Sequence, residues 1–309
     1  MSLESIKESL SSIVAIPVTP FHADGSLDTL AYERVIRYMV DEGITVVTPN
    51  GNTSEFYSLT VEECNQAVLA SIAGVEGRAV VMPGVGHDLA TALELGRFAA
   101  GAGADALMIH TPSHPIQSQQ GWLDYHRAIA DAFPDLGIVP YVRGELVSDA
   151  MLIELAAACP NFVGVKYAPV DPKRFTTTIR TVGQERVAWI CGTAESWAPF
   201  FWVGGAQGFT SGLVNIIVKP SIRMLEALRA GDYATAMGVW DLLYPFEEMR
   251  ARHRGANNVS AVKEGLAQMG LCRRTVRSPI TEIVESERLE VTQILENWGL
   301  PIHQPIGAD

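Results

Sequence analysis

The sequence predicts a (β/α)8 TIM barrel of the α/β class with a C-terminal helical extension, and three observations carry that prediction. Eight short apolar or β-branched runs alternate with longer amphipathic stretches, which is the strand-and-helix count of such a barrel. The runs are continuously apolar and do not alternate, as suits parallel strands covered on both faces. Beyond Ile217 no strand candidate remains and the chain reads helical. The expected division is a catalytic barrel over residues 1–228 and a helical extension packed on it over 229–309.

In chain order, "SIVAIPV" at 12–18 is the first strand and "LDTLAYERVIRYMVDEG" the amphipathic helix after it. "TVVTP" at 45–49 precedes "LTVEECNQAVLASIAGV", where Thr60 and Glu63 have the spacing of a capping box. "AVVMPGVG" at 79–86 pairs with "HDLATALELGRFAAGAG", and "ALMIHTP" at 106–112 with "GWLDYHRAIADAF". "GIVPYVR" at 137–143 comes before "SDAMLIELAAACP". The last three strands are "FVGVKYA" at 162–168, "VAWICGT" at 187–193 and "QGFTSG" at 207–212. Helical patterns then fill "SIRMLEALRAGDYATAMGVWDLLYPFEEMRARH", "VSAVKEGLAQMG" and "ITEIVESERLEVTQILENWG". There is no fixed-period repeat beyond this alternation and no low-complexity segment.

A formal net charge of −12 argues against nucleic acid or an anionic membrane as partner, since both need a basic face. A small anionic substrate stays allowed, because a few local cations and amide donors outweigh a distant negative surface. The four cysteines, Cys64, Cys159, Cys191 and Cys272, form no CxxC pair, so reduced thiols in a cytoplasmic protein are expected. The opening "MSLESIKESLSSIVAIPVTPF" lacks a basic segment followed by a long apolar one, and no run approaches a membrane span. His110 and His114 stand four apart in "HTPSH", but a proline intervenes and no third ligand follows, so no metal is expected. "GVGHDLATA" lacks the third glycine and acidic strand end of a dinucleotide fingerprint and reads as a βα turn, so no cofactor is expected.

The chemistry centres on Lys166, which closes an apolar strand in "FVGVKYAPVD". A lysine is rarely buried without a partner, and barrel active sites lie at the C-terminal ends of the strands, where Lys166 falls. An apolar cup disfavours the ammonium and frees an amine that can attack a carbonyl, giving a protonated Schiff base. A lone strand-end lysine more often snorkels or pairs with an acid, so its company decides the reading. Tyr141 and Arg143 end the preceding strand two residues apart, on one face. A phenol there can move protons at the carbon beside the carbonyl, and an arginine can hold a carboxylate in a fork. After the second strand, "PNGNTSEFYSLTVEE" offers Gly51 for an unusual backbone angle and Asn52, Thr53 and Ser54 as donors that can hold an oxyanion without a cation. Thr193 and Glu195 in "CGTAESW" stand at the same rim, able to read a substrate hydroxyl or to cap the next helix.

These segments together resemble the dihydrodipicolinate synthase / N-acetylneuraminate lyase superfamily: "GNTSE" after strand two, the strand-five tyrosine, "VGVKYA" and "GAQGFTSGLVN", which contains Ser211. The resemblance runs from "IPVTPFHADGSLD" to "GLCRRTVRSPITEI" and implies a barrel with three C-terminal helices, assembled as a dimer or tetramer. It also implies that Lys166 forms the Schiff base with a 2-oxo acid, that Tyr141 is the acid/base, and that Asn52 and Thr53 bind the carboxylate. The synthase pattern has two hydroxyl residues in the loop and "TPYYNRP"; here Asn52 precedes Thr53, and Ser113 and His114 stand where the tyrosines would be. His114 is thereby a candidate to rebuild the proton relay. "YVR" and "SEFYSLT" resemble instead the "YxR" and "GEFFSLT" of 5-dehydro-4-deoxyglucarate dehydratases, although those have glycine where Asn52 stands. Arg143 would then hold a distal carboxylate or hydroxyl.

The expected function is a metal-independent lyase acting on a 2-oxo acid, as a dehydratase or aldolase on a 2-keto-3-deoxy sugar acid. Three rivals stand beside it: condensation of pyruvate with aspartate semialdehyde, a barrel that only binds a 2-oxo acid, and a metal-dependent barrel enzyme.

Overall fold

The computed structural model describes residues 1–303, so the last six residues of the expected extension lie outside the described residues. The chain divides into two compact units with interleaved segments. The first takes Met1–Val14, Thr45–Thr48 and Gly77–Ser211; the second takes Ala15–Ile44, Pro49–Glu76 and the chain from Gly212 onward.

The first unit carries the strands. These are β1 (Ile13–Ala15, whose last residue falls in the second unit), β2 (Val46–Val47), β3 (Val80–Val81), β4 (Gly84–Val85), β5 (Ala106–Ile109), β6 (Gly137–Val142), β7 (Gly164–Tyr167), β8 (Ala188–Cys191) and β9 (Gly208–Ser211). They form one sheet in the order β3-β2-β1-β9-β8-β7-β6-β5-β4. Its two outermost strands, β3 and β4, are halves of one stretch separated only by Met82 and Pro83. Met82 N–H donates to the Val47 carbonyl and Met108 N–H to the Pro83 carbonyl, each at 2.9 Å, so this stretch bonds to both edges and closes the sheet. Pro83 has no N–H to give, which accounts for the break between the halves. All eight expected strand runs hold their strands, the third in two pieces.

Every residue of β5 through β9 is buried, as continuous apolarity anticipated. The unit's helices are α1 (Leu3–Leu10), then, in the full chain's order after α2 (Thr29–Asp41) and α3 (Val61–Val75) of the second unit, α4 (Leu89–Ala102), α5 (Gln119–Ala132), α6 (Asp149–Ala158), α7 (Pro172–Val182) and α8 (Ala194–Gly204). Asp88, Ser118, Ser148 and Asp171 each accept a first-turn N–H and so fix where α4 to α7 begin. The short α1 buries Ile6 and Leu10 against the strand starts: a Cβ on Gly164 would meet Leu10 Cδ1 at 3.1 Å, and one on Gly137 would meet Ile6 Cγ2 at 3.0 Å. With the N-terminal ends of these strands occupied, the opposite ends are left to carry a site.

The second unit is helical. After α2 and α3, which pack on each other, come α9 (Lys219–Arg229), α10 (Tyr233–Gly255), α11 (Asn257–Gln268) and α12 (Glu285–Asn297). The capping box forms as its spacing predicts: Glu63 N–H donates to Thr60 Oγ1 at 3.2 Å and Thr60 N–H to Glu63 Oε2 at 2.9 Å. The long helical pattern from 221 to 253 is two helices, because the backbone turns at Ala230–Asp232, and α10 loses helical geometry at Arg252–Arg254. A wholly buried ion pair joins Lys263 of α11 to Glu55, and Lys263 also donates to the Thr275 carbonyl at 2.8 Å.

Candidate active site

The strand register builds the site. Tyr141 on β6 is the direct partner of Lys166 on β7, and Ile109 on β5 is the partner of Pro140, which brings His110 alongside Tyr141. The Lys166 Nζ lies 4.1 Å from the Tyr141 ring centroid and 3.8 Å from Met108 Sδ. Strands β5 and β7 are not neighbours, so the Met108 contact shows the amine lying back across β6. Met108 and His110 are two residues apart and share a face with it.

Lys166 is 4% exposed, and among the described residues no carboxylate pairs with it. Burial, and secondly the positive Arg143 guanidinium, lower its pKa from the ordinary 10.5 to about 7. The tyrosine π face favours the ammonium, but desolvation outweighs it. An appreciable fraction of the amine is therefore neutral near pH 7, the condition for attack on a carbonyl.

The neighbours grade from buried to wet. Tyr141 is 6% exposed and His110 fully buried, their ring centroids 6.1 Å apart and nearly perpendicular. Thr111 donates to the Tyr141 carbonyl at 3.3 Å. Arg143 is exposed, with Cζ 5.7 Å from the Tyr141 ring centroid. It lines a cavity of about 280 Å³ with Thr111, Gln117, Trp122 and Glu145. His114 is exposed, with Nδ1 2.7 Å from the Ile116 carbonyl oxygen in its own loop.

At the ends of β8 and β9, Glu195 is buried and accepts a 2.6 Å hydrogen bond from the Ser211 hydroxyl. Thr193 occupies the cap position of α8 but makes no side-chain capping bond; its hydroxyl is 3.3 Å from Cys191 Sγ. Ala194 between them has φ +61°, a left-handed conformation costly for a residue with a Cβ, and such strain gathers at functional sites.

The loop with Asn52, Thr53 and Ser54 belongs to the second unit. Left-handed Asn50 (φ +59°) and Glu55 (φ +58°) bracket it. Ser54 is fully buried; its hydroxyl donates to the Pro17 carbonyl at 2.5 Å and accepts from Gly51 N–H at 3.2 Å, which shapes the turn. Thr53 is buried and lies, with the Arg250 guanidinium, against Gly212.

The residue that sequence reasoning passed over is His110, weighed there only as half of a metal pair. The signal was present: it stands two residues after Met108 on the strand beside that of Tyr141.

A parallel barrel closed from eight strand runs, with a desolvated lysine at a strand end, defines the class. The family comparison specifies it: the chain belongs to the dihydrodipicolinate synthetase family, whose model matches residues 9–298. A relative named "Probable 5-dehydro-4-deoxyglucarate dehydratase" from Bradyrhizobium diazoefficiens is 31% identical over 290 residues, covering 93% of this chain and 91% of its own. One of the same name from Ralstonia nicotianae is 31% identical over 289 residues, 92% of each chain. Among solved structures, a dihydrodipicolinate synthase from Bacillus clausii is 42% identical at a TM-score of 0.91, covering 96% of this chain and 100% of that one. One from Oceanobacillus iheyensis is 39% identical at 0.92, covering 96% and 99%. The barrel expected from the sequence is thus the fold of the chain. Among the described residues, no helix is long and apolar enough to cross a membrane.

Proposed function

We propose that the protein is a Schiff-base lyase that dehydrates a 2-keto-3-deoxy sugar acid. The observation that carries the reading is the Lys166 amine, desolvated and 4.1 Å from the Tyr141 ring centroid, with a pKa of about 7. The amine adds to the C2 ketone, water leaves, and the resulting iminium acidifies C3. Tyr141 takes the C3 proton, the electron pair forms the enamine, and the enamine expels the C4 hydroxyl as water. Arg143 reads the distal end of the substrate, and Glu195 with Ser211 and Thr193 reads a hydroxyl. The family resemblance assigns the carboxylate to the Asn52–Thr53 segment. The relatives named for dehydration of 5-dehydro-4-deoxyglucarate support this choice over C3–C4 cleavage.

A second reading, condensation of pyruvate with aspartate semialdehyde, is favoured by the 42% identity to a structure titled dihydrodipicolinate synthase. Borohydride trapping with pyruvate and a panel of 2-keto-3-deoxy sugar acids, read by intact mass and peptide mapping, tests the chemistry. A reduced adduct on Lys166 and dehydration of one of the acids is the expected result. Faster condensation than dehydration would install the second reading, and no adduct with any 2-oxo acid from folded protein removes the Schiff base.

A further inference from the structure

We propose that His110 is the proton partner of Tyr141, a positioning residue that acts through the tyrosine and resets its hydroxyl between the two halves of the reaction. The inference rests on the Schiff-base reading above and adds a group to it.

Three placements carry it. His110 N–H donates to the Val85 carbonyl at 2.9 Å, so the ladder of β5 continues through it and fixes its backbone. Its ring is fully buried and meets the Tyr141 ring edge-on, at 6.1 Å between centroids and 70° between planes. Met108, on the same face of the strand, touches the reacting amine with its sulfur 3.8 Å from Lys166 Nζ. The imidazole therefore stands on the amine's side of the sheet and beside the phenol.

Three other groups placed beside Tyr141 are poorly suited to carry its proton. Lys166 is consumed in the imine. Arg143 offers donors only and has no acceptor. The Thr111 hydroxyl donates to the Tyr141 backbone carbonyl. The imidazole offers two ring nitrogens, one of which accepts while the other donates.

The steps balance. As the C3–H bond breaks, its electron pair forms C2=C3 and neutralises the iminium; the Tyr141 oxygen takes that proton while its own phenolic proton passes to a ring nitrogen of His110. In the second half the enamine pair expels the C4 oxygen. Tyr141 gives that oxygen a proton, the imidazolium returns one to Tyr141, and water leaves. Tyr141 and His110 end as they began.

The test uses the full-length protein with His110→Gln and two readouts on pyruvate. Borohydride capture at Lys166 reports the imine, and loss of deuterium from C3-deuterated pyruvate reports proton abstraction. We expect capture with a half-saturating concentration within about threefold of wild type and exchange slowed about 100-fold, the scale of general acid–base assistance. In a Tyr141→Phe background His110→Gln should change exchange by less than about twofold, because coupled residues do not add. Exchange within about threefold of wild type overturns the proposal, as does a parallel fall of capture and exchange, or an additive effect in the Tyr141→Phe background. If His110→Gln does not fold, His110→Asn takes its place. If neither folds, the ring-nitrogen NMR shifts of His110 in wild type and Tyr141→Phe decide: moved shifts support the coupling and unmoved shifts overturn it. Wild type that captures no 2-oxo acid overturns the Schiff-base reading and this proposal together, whereas capture with undiminished exchange in the variant overturns this proposal alone.

Discussion

Lys166 and Tyr141 are register partners on adjacent strands, and the lysine nitrogen lies 4.1 Å from the centre of the tyrosine ring. Both backbones are held by the sheet ladder, so the spacing between amine and phenol does not depend on a mobile loop. The same burial that excludes water from the pair lowers the lysine pKa. One arrangement thus sets a desolvated amine beside a phenol, the pair that the proposed mechanism uses as nucleophile and acid/base.

Tyr141→Phe separates the two roles. In the proposed mechanism the imine requires Lys166 alone, so borohydride capture of pyruvate should persist, with a half-saturating concentration within a few-fold of wild type. Turnover of the true substrate should fall by about 10²–10⁴, the contribution of a positioned acid–base group. Capture and turnover lost together would mean that the ring only packs the lysine.

The lysine also leaves a mark on stability. Its pKa is about 7 when folded against an ordinary 10.5, so between those values the unfolded chain binds more protons and stability rises with pH. Below about pH 7 the cost of the buried charge is fully present. Lys166→Met, which keeps the volume and drops the charge, should melt higher than wild type at pH 6.5 by roughly 5 °C, with the gap closing towards pH 10.5. A variant that melts lower at pH 6.5 would show that the ammonium is well solvated in the native protein.

Arg143 is the second cause of the lowered pKa. Removing its charge as Arg143→Met should move the midpoint of the pH–capture profile upward. Because Arg143 is exposed, the shift should shrink when the salt concentration is raised. A midpoint that stays in place at low salt would leave burial as the sole cause.

The sequence was legible where one physical signal dominated. Continuous apolar runs marked the strands, Thr60 and Glu63 marked the start of α3, and a lysine ending an apolar strand marked the candidate site. It was silent where structure depends on partners distant along the chain. Nothing local ties Glu55 to Lys263, 208 residues away, or says that Asn50 and Glu55 take left-handed backbones. The break of the third strand at Pro83 was written in the sequence, but whether it would end the sheet or close it depended on both edges bonding to the same stretch. His110 was readable only once β5 and β6 were known to be neighbours in the Ile109–Pro140 register.

The Glu55–Lys263 pair gives a prediction of another kind. Both side chains are fully shielded from water, so each pays a desolvation cost that its partner's opposite charge offsets. Lys263→Met should strand the Glu55 carboxylate and cost about 3–5 kcal/mol, seen as a melting temperature lower by roughly 10 °C. Glu55 also accepts the Arg277 N–H at 2.9 Å, so its replacement must keep an acceptor. The double variant Glu55→Gln/Lys263→Met keeps one and removes both charges, and should recover part of the loss, because the penalty lies in the unpaired ion. A double variant no more stable than Lys263→Met would assign the loss to the Thr275 carbonyl, which gives up its 2.8 Å bond from Lys263 in both.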